Sequence, residues 1–263
     1  KQKTAYEIKE CDWSSDVCSS DLLHLLTMRA LILAAGRGER MRPLTDITPK
    51  PLLMLAGKPL IVWQIERLKR AGVHEFVINA AWLAEVLRTA LGDGSAFGVR
   101  IDWSIEPPEA YETGGGIATA LPLLTRDAPE QPFAVVSADI YTEFDYAHLP
   151  AAAQRIAADP QRTCAHFVLV DNPPHHPGGD MALDHGRIRR TGSLLNYGNI
   201  GVFHPALFAN EPSAQRWKLF PWAYAFVDAD RVSGEHFRGA WHNLGTPEQL
   251  RALDAELAAR TLP

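Results

Sequence analysis

The chain has 263 residues, 46% of them hydrophobic and 22% charged, with a formal net charge of −5. That length accommodates one large α/β domain or two small ones with a proper core. The balance excludes a broad basic surface for nucleic acid, and no apolar run is long enough to span a bilayer.

Residues 1–27 have no clear helical or strand period. They read as translated linker or adapter sequence ahead of Met28 and are set apart from the native fold, which leaves 28–263 as a single domain. Cys11 and Cys18 offer half of a metal-ligand pattern, but no second Cys/His pair follows at ligand spacing. The remaining cysteine, Cys164, opens an apolar run and reads as buried. A lone body thiol points to a reduced, cytoplasmic protein.

The segment Arg29 to Ala35, continuously apolar after Arg29 up to Gly36, predicts a buried parallel strand. A loop rich in Gly, Arg and Pro follows to Gly57. Residues Pro59–Ala71 have a helical period opened by proline and closed by Gly72. Further strands are predicted at Glu75–Asn79, Val99–Ile105 and Phe133–Ser137, with helices at Trp82–Leu91 and Gly114–Leu124 between them. The second half predicts a helix at 145–158, strands at 163–170, 181–184, 187–191 and 197–203, a helix at 217–226, a strand at 236–242 and a closing helix at 247–260. Strand and helix alternating in this way imply βαβ units. The expected fold is α/β, Rossmann-like: a mostly parallel, mixed sheet flanked by helices, with a small β extension in the second half.

Gly36-Arg37-Gly38 sits directly after the first strand, where glycines let backbone N–H groups approach a phosphate. Two common phosphate loops do not fit. The dinucleotide pattern needs a third glycine where Met41 stands, and the Gly-Lys-Ser/Thr of a P-loop is absent. Cations are dense here: Arg37, Arg40 and Arg42, then Lys50 between Pro49 and Pro51. Flanking prolines present Lys50 on a stiff segment. Guanidinium groups grip phosphate oxygens in pairs, and an ammonium acts as a point charge. Asp139 follows the predicted strand 133–137, where an open parallel sheet places its ligands. Nothing resembles a Ser-His-Asp triad or a cysteine nucleophile.

The stretch LAAGRGERMRPLTDITPKP closely resembles the signature of the sugar-1-phosphate nucleotidyltransferases, with Glu39 where that family commonly has Thr. The resemblance runs over about residues 28–260. It implies catalytic roles for Arg40, Lys50 and Asp139, with Arg40 on the leaving pyrophosphate. It implies nucleotide contacts from Ala35, Gly36, Arg37, Gly38, Lys50, Asn79, Glu106, Gly114 and Gly115, the last two by close backbone approach to a base or ribose. For the sugar it implies Ser137, Asp180, Asn199 and Lys218. It implies Mg²⁺ held by Asp139 together with Asn243, which stands in WHNLGT where the family has Asp. The amide brings an oxygen but no charge.

The segments INAAWL, ETGGGIATALPLL, VLVDNPPHHPGGD and VSGEHFRGAW look most like the N-acetylmuramate α-1-phosphate uridylyltransferases of peptidoglycan recycling. That resemblance implies UTP and the sugar 1-phosphate as partners. The alternatives are a mannose- or heptose-1-phosphate guanylyltransferase and, through Asn243, a non-catalytic nucleotide-binding sensor.

Overall fold

The computed structural model describes residues 28–261; the leader, with Cys11 and Cys18, lies outside the described residues. The first half alternates strand and helix. Strand β1 is Ala30–Leu33, followed by the glycine loop, which folds into three short 3-10 turns at Glu39–Met41, Leu44–Asp46 and Lys50–Leu52. A small hairpin, β2 (Met54–Leu55) and β3 (Lys58–Pro59), leads into helix α1 (Leu60–Arg70). Then come β4 (Glu75–Ala80), α2 (Ala84–Leu91), β5 (Arg100–Ile105), α3 (Glu112–Leu124), β6 (Phe133–Ser137) and β7 (Ile140–Thr142). The second half contains α4 (His148–Ala158), β8 (Ala165–Val170), β9 (Met181–Asp184), β10 (Arg187–Arg189) and β11 (Leu194–Phe203). It ends with α5 (Leu219–Trp222), α6 (Tyr224–Asp228), β12 (Val232–Phe237), β13 (Trp241–Asn243) and α7 (Pro247–Thr261).

Nine strands make one sheet in the order β5-β4-β1-β6-β11-β8-β12-β10-β9. The first four are parallel, as their apolar runs predict. Beyond β6 the sheet is mixed: β11 runs antiparallel to both β6 and β8, and β12 returns parallel to β8. The parallel character therefore stops at β6, and the β extension continues the same sheet.

Alternation within β1 explains the layers. Ala30 and Ile32 face α1, α2 and α4, whose Ile61, Ile65, Leu87 and Leu149 are buried against them. Leu31 faces the other way, onto Ile117, Ala120 and Leu124 of α3 and Leu219 and Val227 of α5 and α6. A third cluster seats α7, through Leu250, Leu253 and Leu257, on Met41, Leu55 and Leu60. That contact fixes the far side of the glycine loop. Cys164 is buried just before β8, and burial raises its thiol pKa.

Two predicted elements are divided. The 217–226 helix is two short ones, α5 and α6, separated at Ala223, and α5 itself is kinked at Phe220, whose φ/ψ is non-helical and which precedes Pro221. The 236–242 strand is the end of β12 and the start of β13, separated by Arg238-Gly239-Ala240. β13 leaves the main sheet to pair with β7.

Candidate active site

Strand order reverses at β1, which has β4 on one side and β6 on the other. Ligands bind at such switch points, outside the carboxyl ends of the strands. A cleft of about 820 Å³ opens there, between the glycine loop, the ends of β4 and β6 and the N-terminus of α3.

The loop is tied down from its first residue. Ala34 N–H donates to Asn79 Oδ1 at 2.7 Å, and Asn79 Nδ2 donates to Glu106 Oε1 at 2.7 Å. Glu106 Oε2 accepts the Tyr111 N–H, also at 2.7 Å. Glu106 is 4% exposed, and burial raises its carboxyl pKa while these two hydrogen bonds oppose the shift. The relay joins β1, β4 and the entry to α3.

Gly38 sits at φ +69°, and a Cβ there would lie 3.0 Å from Thr45 Cγ2 and 3.1 Å from Lys50 Cβ. Only glycine lets the chain turn this closely over Lys50. A Cβ on Gly36 would meet nothing within 4 Å, so space alone does not demand glycine there. Lys50 begins the third 3-10 turn and is 9% exposed. Its Nζ lies 2.5 Å from Asp139 Oδ2. Ser137 and Asp139 line the same cleft.

A cation-rich glycine loop facing a carboxylate at a switch point is suited to holding phosphates. The nucleotidyl transferase family model matches residues 29–190. The chain belongs to the sugar-1-phosphate nucleotidyltransferase family. It is 47% identical over 232 residues to an N-acetylmuramate α-1-phosphate uridylyltransferase from Neisseria meningitidis, covering 87% of this chain and 97% of that one. The like-named Caulobacter vibrioides protein is 35% identical, covering 87% and 96%. The fold is shared with a Bacillus anthracis protein assigned as a glucose-1-phosphate thymidylyltransferase, at a TM-score of 0.75 and 19% identity, covering 90% of this chain and 97% of that one.

Within this nucleotidyltransferase, Ala35, Gly36, Arg37, Gly38, Lys50, Asn79, Glu106, Ser137 and Asp139 all line the cleft. Arg37 stacks on Trp82 at 3.8 Å, and Arg42, which also lines the cleft, bonds Asp46 at 2.6 Å. Arg40 is placed elsewhere. Its guanidinium packs beside Gly245, where a Cβ would be 3.2 Å from Nη2, and it is not part of the cleft wall.

Gly114 and Gly115 also lie outside the cleft. They are buried in the first turns of α3. A Cβ at Gly114 would come 2.2 Å from the Trp217 ring, and one at Gly115 would come 1.9 Å from the Gln215 carbonyl. The close approach is made by the protein's own 215–217 segment, with the Trp217 carbonyl accepting both glycine N–H groups at 3.1 Å. Glu112 and Thr113 form the wall instead.

Of the residues assigned to the sugar, Ser137 alone reaches the cleft. Asp180 accepts the Tyr197 N–H at 2.8 Å and faces His176 at 3.0 Å, which fastens the 172–180 loop to β11. Asn199 occupies the β11 bulge at φ +56°, and Lys218 is an exposed residue preceding α5. Asn243 pairs with Ile140 across β13 and β7, and the Leu244 N–H donates to the Asp139 carbonyl at 3.0 Å. Its side chain borders a second cavity of about 360 Å³ rather than the cleft, and its Oδ1 is buried without a partner.

Arg216 lines the cleft without any motif to announce it. It lies in an irregular segment that reaches the site only because Trp217 docks on α3.

Proposed function

We propose that this nucleotidyltransferase joins UTP to N-acetylmuramate α-1-phosphate, giving UDP-N-acetylmuramate and pyrophosphate. The observation that carries the chemistry is the Lys50–Asp139 pair beneath the glycine loop. Likeness to two uridylyltransferases along nearly their whole length supports the substrate pair.

A phosphate oxygen of the sugar 1-phosphate attacks the α-phosphorus. A new P–O bond forms as the α–β P–O bond breaks, and pyrophosphate leaves with the electron pair. No covalent enzyme intermediate is needed. The chain's contribution is positioning and charge neutralisation. Backbone amides at Gly36 and Gly38 approach the phosphates without a side chain between. Arg37, Arg42 and Lys50 neutralise charge from the same wall. Arg40, packed on Gly245, anchors the loop in this conformation.

Asp139, which lines the cleft, would hold Mg²⁺; Asn243, whose buried, unpartnered Oδ1 lies beside the second cavity, would join it only by turning its side chain toward the cleft. One carboxylate and one amide oxygen suit an ion that keeps much of its shell as water and phosphate oxygens. When bound, the ion supplies positive charge to the phosphates.

Residues 28–263 work as one transferase domain, in the cytoplasm like the recycling chemistry proposed for it. Among the described residues no helix is long and apolar enough to cross a membrane. Four NTPs tested against a panel of sugar 1-phosphates, with pyrophosphate release as readout, decide the assignment. UTP with N-acetylmuramate 1-phosphate is expected to be fastest. Preference for GTP with a mannose or heptose 1-phosphate overturns it, as does UTP binding with no release of pyrophosphate.

A further inference from the structure

Four cations line the cleft: Arg37, Arg42, Lys50 and Arg216. Three of them are each bonded to a carboxylate. Arg42 donates to Asp46 at 2.6 Å, Lys50 to Asp139 at 2.5 Å and Arg216 to Glu112 at 2.9 Å. Arg37 differs. The Glu39 carboxylate stands 3.8 Å from its Nε, beyond hydrogen-bond reach, and is 76% exposed. Among the described residues no hydrogen bond to the Arg37 side chain is found.

What holds Arg37 is Trp82. The guanidinium carbon lies 3.8 Å from the centre of the Trp82 ring. Trp82 occupies the turn between β4 and α2 and is not itself part of the cleft wall. Its Nε1 donates to the Thr45 carbonyl at 3.0 Å, and Thr45 Oγ1 donates to the Gly38 carbonyl at 2.8 Å. The indole therefore touches both arms of the glycine loop. Its face meets Arg37 on the outgoing arm, and its edge holds Thr45 on the returning one. The next residue, Leu83, is kept at φ +52°, a conformation that persists at such a side chain only where the surroundings fix it.

A carboxylate would orient a guanidinium but would also take its N–H donors and cancel its charge. An aromatic face orients it through the π system and leaves both free. We propose that Trp82 is a positioning residue for nucleotidyl transfer, holding the Arg37 guanidinium uncommitted at the cleft wall for the phosphates of the nucleotide. An arginine fixed in this way loses less freedom when it binds. The assignment rests on the reading of the cleft as the NTP site and is independent of which base or sugar is used.

The test compares Trp82→Leu, Trp82→Phe and Arg37→Ala in the full chain, reading pyrophosphate release with the NTP and sugar 1-phosphate that the parent turns over fastest. In Trp82→Leu the KM for the NTP is expected to rise on the order of 10-fold, the worth of a cation–π contact shielded from water. The KM for the sugar 1-phosphate should stay at the parent value. Trp82→Phe, which keeps an aromatic face and loses the Nε1 donor, should recover most of the effect. Added to Arg37→Ala, Trp82→Leu should raise the KM for the NTP no further, because its effect passes through Arg37. If Trp82→Leu does not fold, Trp82→Met, whose flexible side chain fills irregular gaps, takes its place in the same comparison. The assignment is overturned if the effects of the two positions multiply, if Trp82→Phe is as impaired as Trp82→Leu, or if Trp82→Leu keeps the parent KM. Failure of the underlying reading appears differently: the parent then releases no pyrophosphate from any NTP, and the role of Trp82 falls with it.

Discussion

Lys50 and Asp139 are 89 residues apart in the chain and 2.5 Å apart at Nζ and Oδ2. The pair bridges the glycine loop and the turn after β6. Lys50 is nearly enclosed, whereas the Asp139 side chain is 32% exposed. Water can therefore take over Asp139 when Lys50 is removed, but nothing replaces the ammonium at the phosphates. Lys50→Ala is expected to lower kcat by about 10²- to 10³-fold, as for other lost transition-state donors, with little change in Tm. Pyrophosphate release and a thermal melt read the two effects. Turnover near the parent value removes Lys50 from the chemistry.

The glycines divide into two kinds. Gly114→Ala drives a Cβ into the Trp217 ring, and overpacking of this sort costs about 1–3 kcal/mol. Its Tm should drop by several degrees. Gly36→Ala meets nothing within 4 Å and should melt with the parent, yet it places a methyl on the cleft wall. Its KM for the nucleotide should rise. Melting curves and nucleotide titration of the two variants separate packing from binding, and a stable Gly114→Ala contradicts the Trp217 contact.

Glu106 makes stability depend on pH. Burial raises its carboxyl pKa in the folded chain, so the unfolded chain releases the proton at lower pH. Its contribution is intact below the ordinary glutamate value and is lost as pH rises through the folded value. Glu106→Gln removes that titration. The variant melts lower overall, because one end of the Asn79–Tyr111 relay becomes mismatched. Its Tm should nonetheless fall less than the parent's across that window. Parallel slopes in melts against pH would contradict the buried-carboxylate account.

Asn243 provides a buried amide oxygen without a partner, opposite Ile140 of β7, the residue after Asp139. Asn243→Asp places a charge there. The Mg²⁺ concentration giving half-maximal rate should fall by about tenfold, in line with one added carboxylate ligand. Titration of the rate with Mg²⁺ checks it. No change would mean that the ion is held without Asn243.

By itself the sequence determined the parallel half of the fold and one wall of the site. Continuous apolar runs at β1, β4 and β6 leave a buried strand no other role, and Gly36, Gly38, Lys50 and Asp139 lie where strand ends and prolines place them locally. The remaining strand pairing depended on contacts between distant segments. Period alone cannot show that β11 enters antiparallel or that β13 leaves the sheet for β7. The same holds for the other wall. Trp217 docking on α3 turned Gly114 and Gly115 into packing residues and brought Arg216 to the cleft. Arg40, read locally as one more phosphate cation, packs against Gly245 because α7 closes over the loop. Local residues decided the phosphate wall, because steric and dihedral constraints act within a few positions. Tertiary structure decided what faces it, because burial is settled only when segments distant in sequence meet.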